Sequence, residues 1–290
     1  MSLESNKPPL WGARVLMVGR ACDDARACAE WYATLFGDAL AEVGDGVFAV
    51  RGAERWLLFR ARAANAVSLA ALALPTHEHW VAYRAHVAAR GVEMHAVASN
   101  LAAQIGADAF AVRDPDRRLL LFTVAPEASP APPAATLARA ARLQRVAFPT
   151  VQIEAMLECY RDLLGFAESA RVVGTDGELV ASYLRSDAEH HSVGVQRGVA
   201  GEAGMHAYAV ADWNALRDWA DHCADLEIPI VRGPGRHGVG NDLFFTIRDP
   251  EGHAIEFVTE IEHRDALEAH VDWPQGPRVM DLWHDGGAPS

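Results

Sequence analysis

"RDPEGHAIEF", residues 248–257, decides how this chain is read. Asp249 and Pro250 open a turn, Gly252 closes it, and the residues after it alternate as a strand does. Glu256 on that strand has the setting of the single carboxylate in a two-histidine, one-carboxylate iron triad. The stretch also has a counterpart upstream. "FAVRDPDRRLLLFTV" (110–124) parallels "FFTIRDPEGHAIEFVTE" (244–260), each being strand, Asp-Pro turn and strand.

The parallel extends outward. "RVLMVGRACDDARACAEWYATLFG" (14–37) matches "RLQRVAFPTVQIEAMLECYRDLLGF" (142–166), a strand and then a helix stopped by Gly37 or Gly165. Between these landmarks each half holds a second helical pattern, "HWVAYRAHVAARG" (79–91) and "DWNALRDWADHCADLEI" (212–228), with Thr76 and Asp212 placed as N-caps. "ELVASYLRS" (178–186) and "HHSVGVQ" (190–196) read as strands by their period of two. The coarse order is an α+β one, with one supersecondary unit repeated. The Pro/Ala stretch "APEASPAPPAA" (125–135) divides the halves as a semi-extended linker. We therefore expect an N-terminal domain over 10–125, a linker over 126–140, a C-terminal domain over 141–262 and a tail over 263–290 that wraps the surface.

At 290 residues, 50% of them apolar, the chain can bury a sizeable core. The net charge of −13, with Lys7 as the single lysine and no basic cluster, disfavours nucleic acid as a partner. No apolar run approaches the roughly 20 residues a membrane span needs, and no signal-peptide order is present, so a cytoplasmic protein is expected. Cys22, Cys28, Cys159 and Cys223 lack CxxC spacing and are read as reduced structural thiols. "THEHW" (76–80) holds His77 and His79 at a helix start and reads as exposed polar side chains.

"YRDLLGF" (160–166), "RSDAEHHSVGV" (185–195), "GPGRHGVGNDLFF" (233–245) and "RDPEGHAIEFVTE" (248–260) together resemble the vicinal oxygen chelate superfamily. Within it they are similar to the two-domain type I extradiol dioxygenases that cleave catechols. The resemblance implies two domains, each a pair of βαβββ modules forming an incomplete barrel, with iron in the C-terminal one. It also implies ligand positions, and these fall on Arg145, Met205 and Glu256. Only Glu256 is retained as a ligand. His206 is adjacent to the second position, but alternation turns it to the other face of the strand with Tyr208 and Val210, while Met205, Ala207 and Ala209 face the cavity. A guanidinium and a thioether cannot replace two imidazoles on Fe(II), so no metal is expected at these positions. Instead, Arg145 and Glu256 should form a charge-assisted pair.

By the same resemblance the catalytic histidines fall on His191, as acid or base, and on His237, as stabiliser of oxyanion charge. Arg145, Met205, Asn241 and Thr246 are the candidate substrate-binding residues, Thr246 standing where similar enzymes carry Tyr. His190 and His253 are read as lying off the cavity, His253 at a strand edge. The expected ligand is a small aromatic, enolisable or anionic molecule, and a homo-oligomer is expected. Two alternatives stay open: Fe(II)- or Mn(II)-dependent catechol cleavage through a shifted His206, and a non-catalytic binder of an aromatic compound.

Overall fold

The computed structural model describes residues 7–61, 67–106, 108–126, 140–198 and 204–284. The N-terminal half runs β1 (Arg14–Cys22), α1 (Ala25–Phe36), β2 (Ala39–Gly44), β3 (Val47–Arg51), β4 (Trp56–Ala61), then β5 (Val67–Leu74), α2 (His77–Ala89), β6 (His95–Ala96), α3 (Ser99–Ile105), β7 (Phe110–Arg113) and β8 (Leu119–Val124). The C-terminal half repeats the order with β9 (Arg142–Thr150), α4 (Ile153–Leu157, continued by a π-helical turn to Leu163), β10 (Ala167–Val173), β11 (Leu179–Arg185), β12 (Val193–Arg197), then β13 (Met205–Ala209), α5 (Trp213–Asp225), β14 (Arg232–Arg236), β15 (Leu243–Arg248) and β16 (Ala254–Thr259). Asp24, Thr76 and Asp212 cap their helices by accepting from backbone N–H groups three residues on. Gly37 ends α1 at φ 66°, a left-handed conformation that favours glycine.

Each half is two βαβββ modules joined back to back. β1 is parallel to β4 and antiparallel to β5, which is parallel to β8. β9 stands in the same relation to β12, β13 and β16. The two sheets, of eight and nine strands, are open, since their outermost strands do not pair with one another. The fold is thus α+β with paired modules, as the repeat implied. Of the expected linker only residues 126 and 140 are described.

The Asp-Pro turns join the halves reciprocally. Tyr32 of α1 donates to Asp249 at 3.2 Å, and Tyr160, from the helical segment after β9, donates to Asp114 at 3.2 Å. Both carboxylates are buried, and each also meets an arginine, Arg20 for Asp249 and Arg118 for Asp114. Phe36 of α1 completes the junction against Tyr208 and Trp219 of the C-terminal half. Arginine and tyrosine satisfy an acid that burial would otherwise make costly.

The tail does more than wrap the surface. β17 (Val271–Pro274) adds to the edge of the C-terminal sheet, parallel to β10, and α6 (Pro277–Met280) follows it. Pro274 has no N–H to donate and stands at the strand's end on the sheet edge, a position that tolerates it. Among the described residues no helix is long and apolar enough to cross a membrane.

Candidate functional site

Arg145 on β9 is in register with Ala207 on β13, and Ala207 is in register with Glu256 on β16. In-register residues share a face, so Arg145 and Glu256 flank a methyl group across two strand spacings, roughly 9.5 Å. The long arginine reaches over Ala207, and its Nη2 donates to Glu256 Oε2 at 2.9 Å. The expected ion pair is present, but in a different form. The same Nη2 also donates to Asp242 Oδ2 at 3.0 Å, so one nitrogen bridges two carboxylates where a pair with Glu256 alone was expected. Nη1 is turned to Gln144 Oε1 at 3.2 Å.

Asp242 is the residue that sequence reasoning missed. It is fully buried, and besides Arg145 it accepts from His237, whose Nδ1 lies 3.0 Å away. Burial favours its neutral form, but Arg145 and then His237 outweigh burial and hold the carboxyl well below its usual range. Arg145 is likewise buried, and Asp242 and Glu256 together keep its charge. One arginine between two carboxylates leaves these three side chains with a net negative charge. An anionic ligand gains little from an Arg145 already shared by two acids, which corrects the expectation that this residue would hold one.

His237 stacks on Phe244, with ring centroids 3.9 Å apart and planes within 6°. Its Nε2 is 3.7 Å from Glu256 Oε1, beyond a hydrogen bond. His191 is buried, and its Nδ1 meets His190 Nδ1 at 3.1 Å. Burial, then the charge of Arg145, pushes the His191 pKa far down, so His191 is neutral. His190 was expected to face away from its neighbour. The chain here is a bend preceding β12, so strand alternation does not apply, and the two rings touch. Burial and the charge of Arg264 lower His190 to about 3.

Thr246, paired with Glu256 across β15 and β16, donates to Glu256 Oε1 at 3.3 Å. Met205 lines the cavity, on the face opposite His206. His206 packs beside Tyr32 and hydrogen-bonds His253 through a 2.9 Å nitrogen contact. A shifted register for His206 is therefore closed off by its partners on the reverse face. His253 is not a strand-edge side chain; it is buried under that pair. Asn241 does not enter the cavity. It is exposed at φ 54°, and its carbonyl accepts from Arg236 at 2.6 Å.

The cavity between Arg145, His191, Met205, His237 and Glu256 measures about 40 Å³, and Val279 and Met280 of α6 line it as well. That is room for about three waters. Tyr183, half-buried and raised to about 12 chiefly by desolvation, also lines it and meets His191 edge-on. Among the described residues Asp242 Oδ1 and Arg145 Nε are buried without a hydrogen-bond partner, so the polar lining is not fully satisfied from within.

These residues do not fit a ferrous triad. The place of one imidazole holds a cation already bonded to the remaining carboxylate, and the place of the other holds a thioether.

Residues 142–257 match the family described as the Glyoxalase/Bleomycin resistance protein/Dioxygenase superfamily. Metapyrocatechase 2 of Cupriavidus necator is 31% identical over 137 residues, a match spanning 47% of this chain and 40% of that protein. Among solved structures, homoprotocatechuate 2,3-dioxygenase of Arthrobacter globiformis superposes with a TM-score of 0.77 at 22% identity, covering 98% of this chain and 91% of its own. The Mn(II)-bound glyoxalase of Novosphingobium aromaticivorans gives 0.75 at 23% identity, covering 98% and 93%. The 2,3-dioxygenase LapB of Pseudomonas sp. KL28 gives 0.78 at 16% identity, covering 90% and 96%. At these identities the superpositions establish the fold.

Proposed function

We propose, from the match of residues 142–257 to the Glyoxalase/Bleomycin resistance protein/Dioxygenase superfamily, that the C-terminal cavity takes a small neutral phenol or enol and acts on it by acid–base chemistry, without the iron that the ligand positions would otherwise hold. The observation that carries this reading is the Arg145 guanidinium bonded to both Asp242 and Glu256 where a metal would sit.

The geometry supports roles for the histidines that differ from those the resemblance implied. Asp242 accepts from His237 Nδ1, and the ring's Nε2 is turned toward Glu256, so the buried carboxylate orients the imidazole as a general base is oriented. His191, kept neutral, suits donating or accepting a hydrogen bond at a ligand hydroxyl more than storing a proton. His237 would take the proton of a bound hydroxyl, and Arg145 would stabilise the charge left on its oxygen. Val279 and Met280 line the cavity, and their displacement would widen it for such a ring.

Metal analysis of protein produced with added iron and manganese tests the reading, together with a ring-cleavage assay on catechols. The expected result is no stoichiometric Fe or Mn and no ring-cleaved product, with tautomerisation of an enolisable aromatic substrate that His237→Ala abolishes. Stoichiometric iron with catechol cleavage would overturn it. Binding without turnover, unchanged in His237→Ala, would favour a non-catalytic binder.

A further inference from the structure

The junction of the two halves brings together side chains that the proposed reaction does not use. Cys22 ends β1 and Cys28 lies in the first turn of α1, while Glu251 comes from the Asp-Pro turn of the other half. One ligand atom from each of the three lies within 4.8 Å of the others. Both cysteines are buried, and Glu251 is part-exposed, which gives an ion a route in.

From this convergence we propose that Cys22, Cys28 and Glu251 form a site for a thiophilic dication of the zinc class, clamping the N-terminal half to the C-terminal one. Cysteine thiolates and a glutamate carboxylate are both zinc ligands, and tetrahedral Zn–S bonds of about 2.3 Å place sulfurs about 3.8 Å apart. Closing to that spacing takes a shift of about 1 Å from the limit observed. Glu251 is already oriented, because its Oε1 accepts from the backbone N–H groups of Asp23, at 2.7 Å, and Asp24, at 3.3 Å. Those bonds are the kind of outer support that fixes a metal-binding carboxylate.

The surrounding charge is suited to the ion. Two thiolates, Glu251 and Asp249 carry four negative charges against a dication, and Arg20, paired with Asp249 and with its Nη1 3.9 Å from Cys28 Sγ, reduces the excess to one. Asp249 Oδ2, 3.9 Å from the same sulfur, is near enough to support the fourth position, alone or through a water. Binding releases the two thiol protons to solvent and requires no oxidant. Sequence spacing gives no sign of this site, because the cysteines lack a zinc-motif interval and the carboxylate arrives through the fold.

Titration of the reduced full-length protein with Co(II), and separately with Cd(II), reads the site directly. The expected result is a thiolate-to-metal charge-transfer band that saturates with a single ion per chain, and a melting temperature that rises with free Zn(II). The band should disappear in Cys22→Ser and Cys28→Ser, and Glu251→Gln should weaken binding at least tenfold. Absence of the band in the wild-type protein would overturn the proposal, a result that needs no variant to fold. So would a band that survives in Cys22→Ser/Cys28→Ser, or binding unchanged in Glu251→Gln. Arg145, Asp242 and His237 lie outside this trio, so neither outcome depends on the reading of the cavity.

Discussion

Arg145 and Asp242 are bonded at 3.0 Å with neither side chain reaching solvent to any useful extent. A buried pair of this kind adds little relative to a well-packed apolar pair, but breaking it from one side is costly. Arg145→Met leaves Asp242 and Glu256 facing each other without a cation. We expect a loss of about 3–5 kcal/mol in urea unfolding. Asp242→Asn keeps the Arg145–Glu256 bond and should lose about 1–3 kcal/mol. Equal losses in the two variants would show that Arg145 does not serve both acids.

Rebuilding the triad should convert the site. In Arg145→His/Met205→His the guanidinium is gone and two imidazoles join Glu256 on the cavity face. Fe(II) or Mn(II) should then bind and raise the melting temperature, while the wild-type protein shows no such response at this site. Metal analysis of the two proteins side by side checks this, and equal metal content would count against the ligand assignment.

Acid should destabilise the fold before its carboxylates titrate. His190, His191, His206 and His253 are buried, and burial lowers all four pKa values, His190 and His206 to about 3. Unfolded histidine titrates near 6.5, so the unfolded chain takes up protons that the native chain refuses. These groups contribute their full stability above about pH 6.5, and it is lost as pH falls from there toward about 3. Each adds up to about 1.4 kcal/mol per pH unit over that window. The urea midpoint measured between pH 7.5 and 5 should fall steeply, and less steeply in His206→Gln. A flat profile would mean these histidines are protonated in the native state.

Gly238 controls the roof of the cavity. Its N–H donates to Val279 O at 3.1 Å, and a Cβ built on it would fall 2.0 Å from Arg278 O. Gly238→Ala should displace α6 and open the cavity, raising the rate at which an apolar fluorescent probe binds, while chemical stability falls by about 1–3 kcal/mol. An unchanged binding rate would show that Val279 and Met280 do not limit entry.

Much of this was legible in the chain. The two Asp-Pro turns and the glycine-stopped helices announced the repeat, because turn chemistry and caps are local. Strand alternation placed Met205 on the cavity face and His206 on the reverse one, since that depends only on the period of two. What depended on contacts far apart in sequence was not legible. Asp242 sits in an irregular loop whose direction no period sets, and Asn241 beside it, expected in the cavity, turns outward at a left-handed φ. His190 went astray for the same reason, a bend where a strand was anticipated. The tail's Pro and Gly suggested a surface wrap, and pairing with β10 overrode that composition.

The roof strand and helix, residues 271–280, follow in chain order every strand of the sheet they complete. If docking follows chain order, the cavity is walled before it is covered, and Arg145, Asp242 and Glu256 meet while water still has access. The ion pair would then be assembled wet and dried afterwards, with the desolvation of its charges falling on the last docking step. That step, and not the formation of the sheet, should be the one most sensitive to salt.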